Sequence, residues 1–201
     1  MKKFALAVLA VLFIAPAAMA EGWGVGLKLG GAANDPKTMK QVQDAMGGDL
    51  DENGAYFGLE VLHEWSLNDE ANKIGAKIGW DTYGENEYKR AGNKATEETY
   101  SFPFTVYYKR DNGIGALSWF GGAGVTILRG KLDAGAQEES KTKVFPHIVA
   151  GGEYRFTKVF ALGLEARYNF SAKVKKNVGG GDFVLSDRTG FGAALTGRFY
   201  F

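Results

Sequence analysis

Apolar and polar residues alternate with period two in eight separate segments of this chain, and nothing else in it limits the fold more. Successive side chains of a strand point to opposite faces, so such a segment carries one apolar face and one wet face. The last segment shows this best: Phe191, Ala193, Leu195, Gly197, Phe199 and Phe201 fall on one side, and Gly192, Ala194, Thr196, Arg198 and Tyr200 on the other. The alternation predicts strands over Gly22–Ala32, Ala55–Trp65, Lys73–Tyr83, Thr99–Lys109, Ile114–Leu128, Val144–Phe156, Val159–Phe170 and Thr189–Phe201. Each is near the ~9–11 residues that a tilted strand needs to cross a bilayer, or a little longer.

The connections alternate in length. Long ones cover Ala33–Gly54, Gly84–Glu98, Arg129–Lys143 and Ser171–Arg188; short ones cover Ser66–Asn72, Arg110–Gly113 and Thr157–Lys158. Arg110-Asp111-Asn112-Gly113 is a hairpin turn signal, because Gly accepts positive φ. A soluble β-sandwich also alternates, but it buries its apolar face and keeps charge outside. It gives no reason for long loops gathered at one end and aromatic residues at the other. Trp23, Trp65, Tyr108, Trp119, Tyr154, Phe156, Phe160, Phe199 and Phe201 lie at the short-turn ends on the apolar face, as a girdle at a membrane interface requires. The fold class expected is all-β: an eight-stranded, antiparallel, up-and-down transmembrane barrel. Pro103 falls inside the fourth strand, where it cannot donate to the ladder; a bulge there would shift the expected register over the first half of that strand.

Residues 1–20 read as an export signal, with Lys2 and Lys3, an apolar run from Phe4 to Ala15, Pro16, and the A-x-A site Ala18-Met19-Ala20. The run is too short for a membrane-spanning anchor. The barrel domain is then 21–201, and losing the two lysines moves the formal charge from +1 to −1, which gives no footing for nucleic acid. The chain has no Cys, excluding a disulfide scaffold, thiolate zinc, a thiol nucleophile and a lipidated cysteine.

The inward face carries Lys28, Lys77, Lys109, Arg155, Arg167 and Arg198 against Glu60, Glu64, Asp81, Glu153 and Glu165. Charges enclosed in a barrel must be paired, or their desolvation goes uncompensated. Eight strands leave room only for side chains, so a plugged interior is expected rather than an open channel. Inward glycines (Gly24, Gly26, Gly122, Gly124, Gly151, Gly163) are expected to make space for the long charged side chains.

Asp49-Leu50-Asp51-Glu52-Asn53-Gly54 followed by Glu60 matches a calcium-loop pattern, with a helix possible over Asp35–Met46 before it. If Gly54–Glu60 is extended, however, Glu60 lies ~20 Å beyond Gly54 and cannot close the cage. Weak calcium binding by Asp49, Asp51 and Asn53 alone, or simply an acidic solvated loop, is what remains. His63 lies on the outward face. His147 points inward near the long-loop end, and Ser118, the inward serine weighed as its partner, lies at the opposite end, so no catalytic motif is recognised and no cofactor is implied. Val178-Gly179-Gly180-Gly181-Asp182 lacks the Lys of a phosphate loop and reads as flexible.

The opening strand Trp23–Gly31, the alternating loop lengths and the closing Gly197-Arg198-Phe199-Tyr200-Phe201 resemble the eight-stranded outer-membrane barrels of the OmpA/OmpX type over the whole mature chain. The resemblance implies a Gram-negative outer-membrane location with both termini in the periplasm. It implies recognition of the Phe201 strand by the barrel-assembly machinery, and contact with outer-membrane lipid and lipopolysaccharide. With no peptidoglycan-binding domain after Phe201, a tethering role is not implied. A monomeric, non-enzymatic barrel that is structural, or binds surfaces through its four long loops, is expected. A small-solute channel and a lipid A-modifying enzyme remain as alternatives.

Overall fold

A computed structural model describes residues 22–32, 49–51, 54–90, 93–133, 138–178 and 181–201. Its strands are β1 (Trp23–Ala32), β2 (Asp49–Asp51), β3 (Ala55–Ser66), β4 (Asn72–Tyr83), β5 (Asn86–Arg90), β6 (Asn93–Arg110), β7 (Leu117–Asp133), β8 (Glu138–Arg155), β9 (Phe160–Asn169), β10 (Lys173–Val178), β11 (Gly181–Asp187) and β12 (Gly190–Tyr200). Eight of them, β1, β3, β4, β6, β7, β8, β9 and β12, form a closed ring of antiparallel neighbours. Closure comes from β1 meeting β12, with Gly24 opposite Tyr200 and Ala32 opposite Gly192. It leaves no free edge in the lipid-facing wall, the condition for crossing hydrocarbon with strands.

Alternation governs which side chains enter the barrel. Along β9 the even-numbered residues face out and Ala161, Gly163, Glu165, Arg167 and Asn169 face in. On the outer surface Ile78, Leu164, Phe191 and Leu195 are more than half exposed to their surroundings, an arrangement favourable only where those surroundings are hydrocarbon. Exposed apolar residues on β7 run from Leu117 to Ile127. At ~3.4 Å per residue and a tilt of roughly 40° that run is about 26 Å tall, close to the ~25 Å apolar band of such barrels.

Three expectations need correction. First, β6, β7 and β8 reach 18, 17 and 18 residues, so the long connections at Gly84–Glu98 and Arg129–Lys143 are largely strand. Past Ile127 the outward residues of β7 are Arg129, Lys131 and Asp133, and past Val144 those of β8 include Thr142 and Ser140. The ladder therefore continues beyond the apolar band as a sheet with a polar outer face, joined on its β6 side by β5 and then β2. Second, Pro103 makes no bulge. Its ring faces inward over Gly79. The β4–β6 ladder skips Gly79 and Trp80 but resumes at Asp81↔Ser101 in the register of Ile78↔Phe104. The missing N–H costs rungs, not register. Third, Ser171–Arg188 holds the hairpin β10–β11, with Val178 paired to Gly181 at its tip. The expected helix at 35–46 and Asn53 lie outside the described residues.

The short turns follow their sequence cues. Gly113 has φ 86°, and its N–H donates to Asp111 Oδ1 at 3.0 Å, tightening the β6–β7 turn.

Candidate functional site

The barrel interior holds charged layers between small apolar clusters. At the short-turn end Leu62, Ala161 and Tyr200 pack together. In mid-barrel the cluster is Tyr107, Phe120 and Val149, and towards the long-loop end it is Tyr56, Tyr83 and Ala194. At the mouth, Leu128 and Phe145 of the wall pack against Ala172 and Val174 of the β10 hairpin.

Arg198 is the hub of the charged layers. Its Nε donates to Glu60 Oε1 at 2.7 Å, Nη1 to Glu153 Oε2 at 2.9 Å and Nη2 to Glu165 Oε2 at 3.2 Å. Lys77 pairs with Glu165 and lies 3.3 Å from Glu60. Towards the mouth, Asp81 takes Lys28 and Arg167, each at 2.8 Å. Towards the short turns, Lys109 lies 3.0 Å from Glu64 and 2.5 Å from Glu153, and the Tyr107 and Tyr200 hydroxyls donate to those carboxylates. Ten of the eleven charges assigned to the interior from sequence are buried here: Lys28, Glu60, Glu64, Lys77, Asp81, Lys109, Glu153, Glu165, Arg167 and Arg198. Arg155 is half-buried at the rim, 3.1 Å from Asp111.

Sequence reasoning passed over several partners. Tyr83, Tyr107 and Tyr200 stand on inward positions, where parity marks them, but a phenol gives no charge signal. Asp111 and Lys73 sit at the barrel's end, 2.7 Å apart. Burial alone pushes the Asp111 carboxyl up. The Lys73 hydrogen bond, the Lys109 charge and the Gly113 N–H outweigh it and bring the carboxyl down to about 2.

The structure does not bring the candidate catalytic groups together. His147 is clamped by two threonines, Nε2 at 2.9 Å from Thr105 Oγ1 and Nδ1 at 2.8 Å from Thr126 Oγ1. Ser118 sits at the other end, where its hydroxyl donates to Asp111 Oδ1 and accepts from the Asn112 N–H. His63 faces outward between the rings of Trp23 and Trp65, at 4.7 and 4.4 Å. Glu60 is bonded to Arg198 inside the barrel, so it is no calcium ligand. Asp49 and Asp51 belong to β2, opposite Lys89 and Glu87. Among the described residues no group of three or more His, Asp or Glu is arranged to hold a metal.

The outer surface carries aromatic rings at both ends. At the short-turn end Tyr108 meets Trp119, and Tyr154, Phe156, Phe160 and Phe199 form a chain of neighbouring rings. Trp23 and Trp65 flank His63 in the same belt. Phe201 N–H donates to Trp23 O at 2.9 Å, fastening the last residue to β1. A second set at the long-loop end was not anticipated: Trp80 stacks on Tyr100, and Tyr168 lies between Phe170 and Phe191. Outward parity near the opposite strand ends was the available signal.

The model of the outer membrane protein beta-barrel domain family matches residues 4–199. Among solved structures, Ail, the attachment invasion locus protein of Yersinia pestis, superposes with a TM-score of 0.56 at 14% identity, over 90% of this chain and 99% of that one. Neisserial surface protein A superposes with a TM-score of 0.52 at 16% identity, over 90% and 97%. No curated protein sequence matches the chain.

Proposed function

The chain belongs to the outer membrane protein beta-barrel domain family, and on that premise we propose that it is a non-enzymatic barrel that binds at the cell surface through the sheet it raises above the membrane. One observation carries this reading: β6, β7 and β8 continue as hydrogen-bonded strand with a polar outer face past the last lipid-facing residues, Ile127 and Val144. Six further residues of β7 at the same tilt extend roughly 16 Å beyond the apolar band. An ordered platform of that height serves recognition by holding a contact surface away from lipid without an ordering cost on binding. β8 from Glu138 to Phe145 has a ladder partner only on its β7 side among the described residues, so its other edge offers backbone groups to an extended segment of a partner.

The interior supports a plug rather than a passage. The gap among Lys28, Glu60, Lys77, Thr105, Glu165 and Arg167 leaves no volume open to a water molecule. The threonine clamp on His147 and its distance from Ser118 count against lipid hydrolysis. Short turns on the same end as Gly22 and Phe201 support periplasmic termini, the raised sheet facing outward into the lipopolysaccharide leaflet, and recognition of β12 by the assembly machinery. The evenly apolar wall supports a monomer.

The test is a variant in which Gly130–Lys141 is replaced by a two-residue turn. Cells displaying it should lose retention on immobilised matrix proteins and polysaccharides, while the barrel keeps its heat-modifiable gel mobility. Equal retention by the shortened barrel removes the surface-binding role. An epitope inserted between Asp133 and Glu138 should be reached by antibody on intact cells. One appended after Phe201 should not.

A further inference from the structure

The six inward cations named above each have a carboxylate partner. Lys28 and Arg167 have Asp81, Lys77 has Glu165, Lys109 has Glu64, Arg198 has Glu60, and Arg155 has Asp111. Arg188 is different. It lies between β11 and β12 at the mouth and is 3% exposed. Its Nε, Nη1 and Nη2 are all buried without a hydrogen-bond acceptor.

The backbone pins this residue. Its N–H donates to Ala172 O at 2.9 Å, and its carbonyl accepts from Asn169 Nδ2 at 3.1 Å. The guanidinium lies 4.5 Å from the centre of the Tyr83 ring, which supports a cation from one face and supplies no acceptor along its edge. The nearby carboxylate of Asp187 is engaged elsewhere, 3.4 Å from Lys173 and accepting the Thr189 N–H. The neighbouring hydroxyl, Thr189 Oγ1, is buried without a partner as well.

A buried cation whose donor edge meets no protein acceptor is costly unless another group supplies one. The missing component is an acceptor carrying negative charge. A planar fork of N–H groups matches two oxygens of one oxyanion.

We propose that Arg188 forms the receptor for a small oxyanion, a phosphate, sulfate or carboxylate group, at the mouth of the barrel beside the β10–β11 hairpin. The group arrives either as the free ion or on a sugar. The site does not depend on the surface-binding reading, since it lies inside the wall rather than on the raised sheet.

The test is equilibrium dialysis of the whole refolded chain in detergent, with inorganic phosphate in one arm and glucose 1-phosphate in the other. One saturable site per barrel is expected. Arg188→Met should abolish it, and Arg188→Lys, which keeps the charge but loses the fork, should weaken it about tenfold. Binding of inorganic phosphate alone assigns the free ion; equal binding of the sugar phosphate assigns a carried group. Should Arg188→Met not fold, Arg188→Lys decides. A second readout is the urea midpoint, which should rise with millimolar phosphate for the native chain and stay flat for the variants. No saturable site in the native chain, or one that Arg188→Lys leaves unchanged, overturns the proposal.

Discussion

Arg198 satisfies three carboxylates, those of Glu60, Glu153 and Glu165, through three different nitrogens, and its guanidinium lies 4.8 Å from the centre of the Phe120 ring. Removing it leaves buried anions short of partners, a change that costs about 3–5 kcal/mol where one member of a buried pair is deleted. Arg198→Met is therefore expected to lower the unfolding free energy by about that amount in a urea titration, and Arg198→Lys by less; an unchanged midpoint for Arg198→Met means that the network contributes nothing. Asp111 works at the rim in a different way. Its folded carboxyl titrates near 2 against an ordinary 3.8, so its contribution is complete above about 4 and is lost as pH falls towards 2. Asp111→Asn should flatten the pH dependence of stability in that window while leaving the curve above pH 5 parallel to the native one. The charged members of this network that stand within the wall strands were legible from parity and sign, whereas Asp111 and Lys73 at the barrel's end were not. The hydroxyls that complete it, and the solitary Arg188, were not. A phenol reads as apolar in an alternating strand, and Arg188 lies in a connection where parity has no meaning.

At the scale of the strand, the inward glycines do not all make room for charge: an added Cβ at Gly24 or Gly151 would meet Leu62 or Phe120 and a backbone carbonyl instead. A Cβ at Gly26 would meet the Glu60 and Arg198 side chains, so this glycine makes room for charge, as its place in the sequence suggested. A Cβ at Gly122 or Gly124 would instead fall on the backbone carbonyl of Val106 or Phe104, so these two let β6 and β7 approach. Strand backbone yields less readily than a flexible side chain, and overpacking of this kind costs roughly 1–3 kcal/mol. Gly124→Ala should destabilise the barrel by at least that much. Gly121→Ala, where the added Cβ meets Val149 O at an ordinary 3.9 Å, should stay within about 0.5 kcal/mol. Equal effects at the two positions would show that the close approach of β6 is not what Gly124 provides. Strand existence and facing followed from period two. Strand length did not, because above the lipid the outward residues of β6, β7 and β8 turn polar, and the apolar outer face that marks a lipid-facing strand ends there, although the ladder continues to Asp133↔Glu138. The same loss of contrast hides β10 and β11.

For the molecule as a whole, closure and charge balance act together. The ring of eight strands sets an interior wide enough for side chains, and the side chains placed there form ion pairs that span it, such as Arg198 of β12 with Glu60 of β3 and Glu153 of β8. A hydrated ion crossing the barrel has to part several of these pairs at once, in surroundings where each interaction is far stronger than in water. The native chain in planar bilayers is therefore expected to be silent at voltages where open barrels show steady steps. Widening the constriction without unbalancing it should change that. Lys77→Ser with Glu165→Ser removes one cation and one anion together, and Arg198 keeps Glu60 and Glu153 while Glu60 keeps Arg198 and Lys28. That double variant should fold to the same heat-modifiable species and show brief openings. Neither single variant is an equivalent test, since each leaves an unpaired charge and confounds conduction with instability. Steady conductance from the native chain would mean that these pairs open freely, and the closed interior would have to be abandoned even though the fold stands.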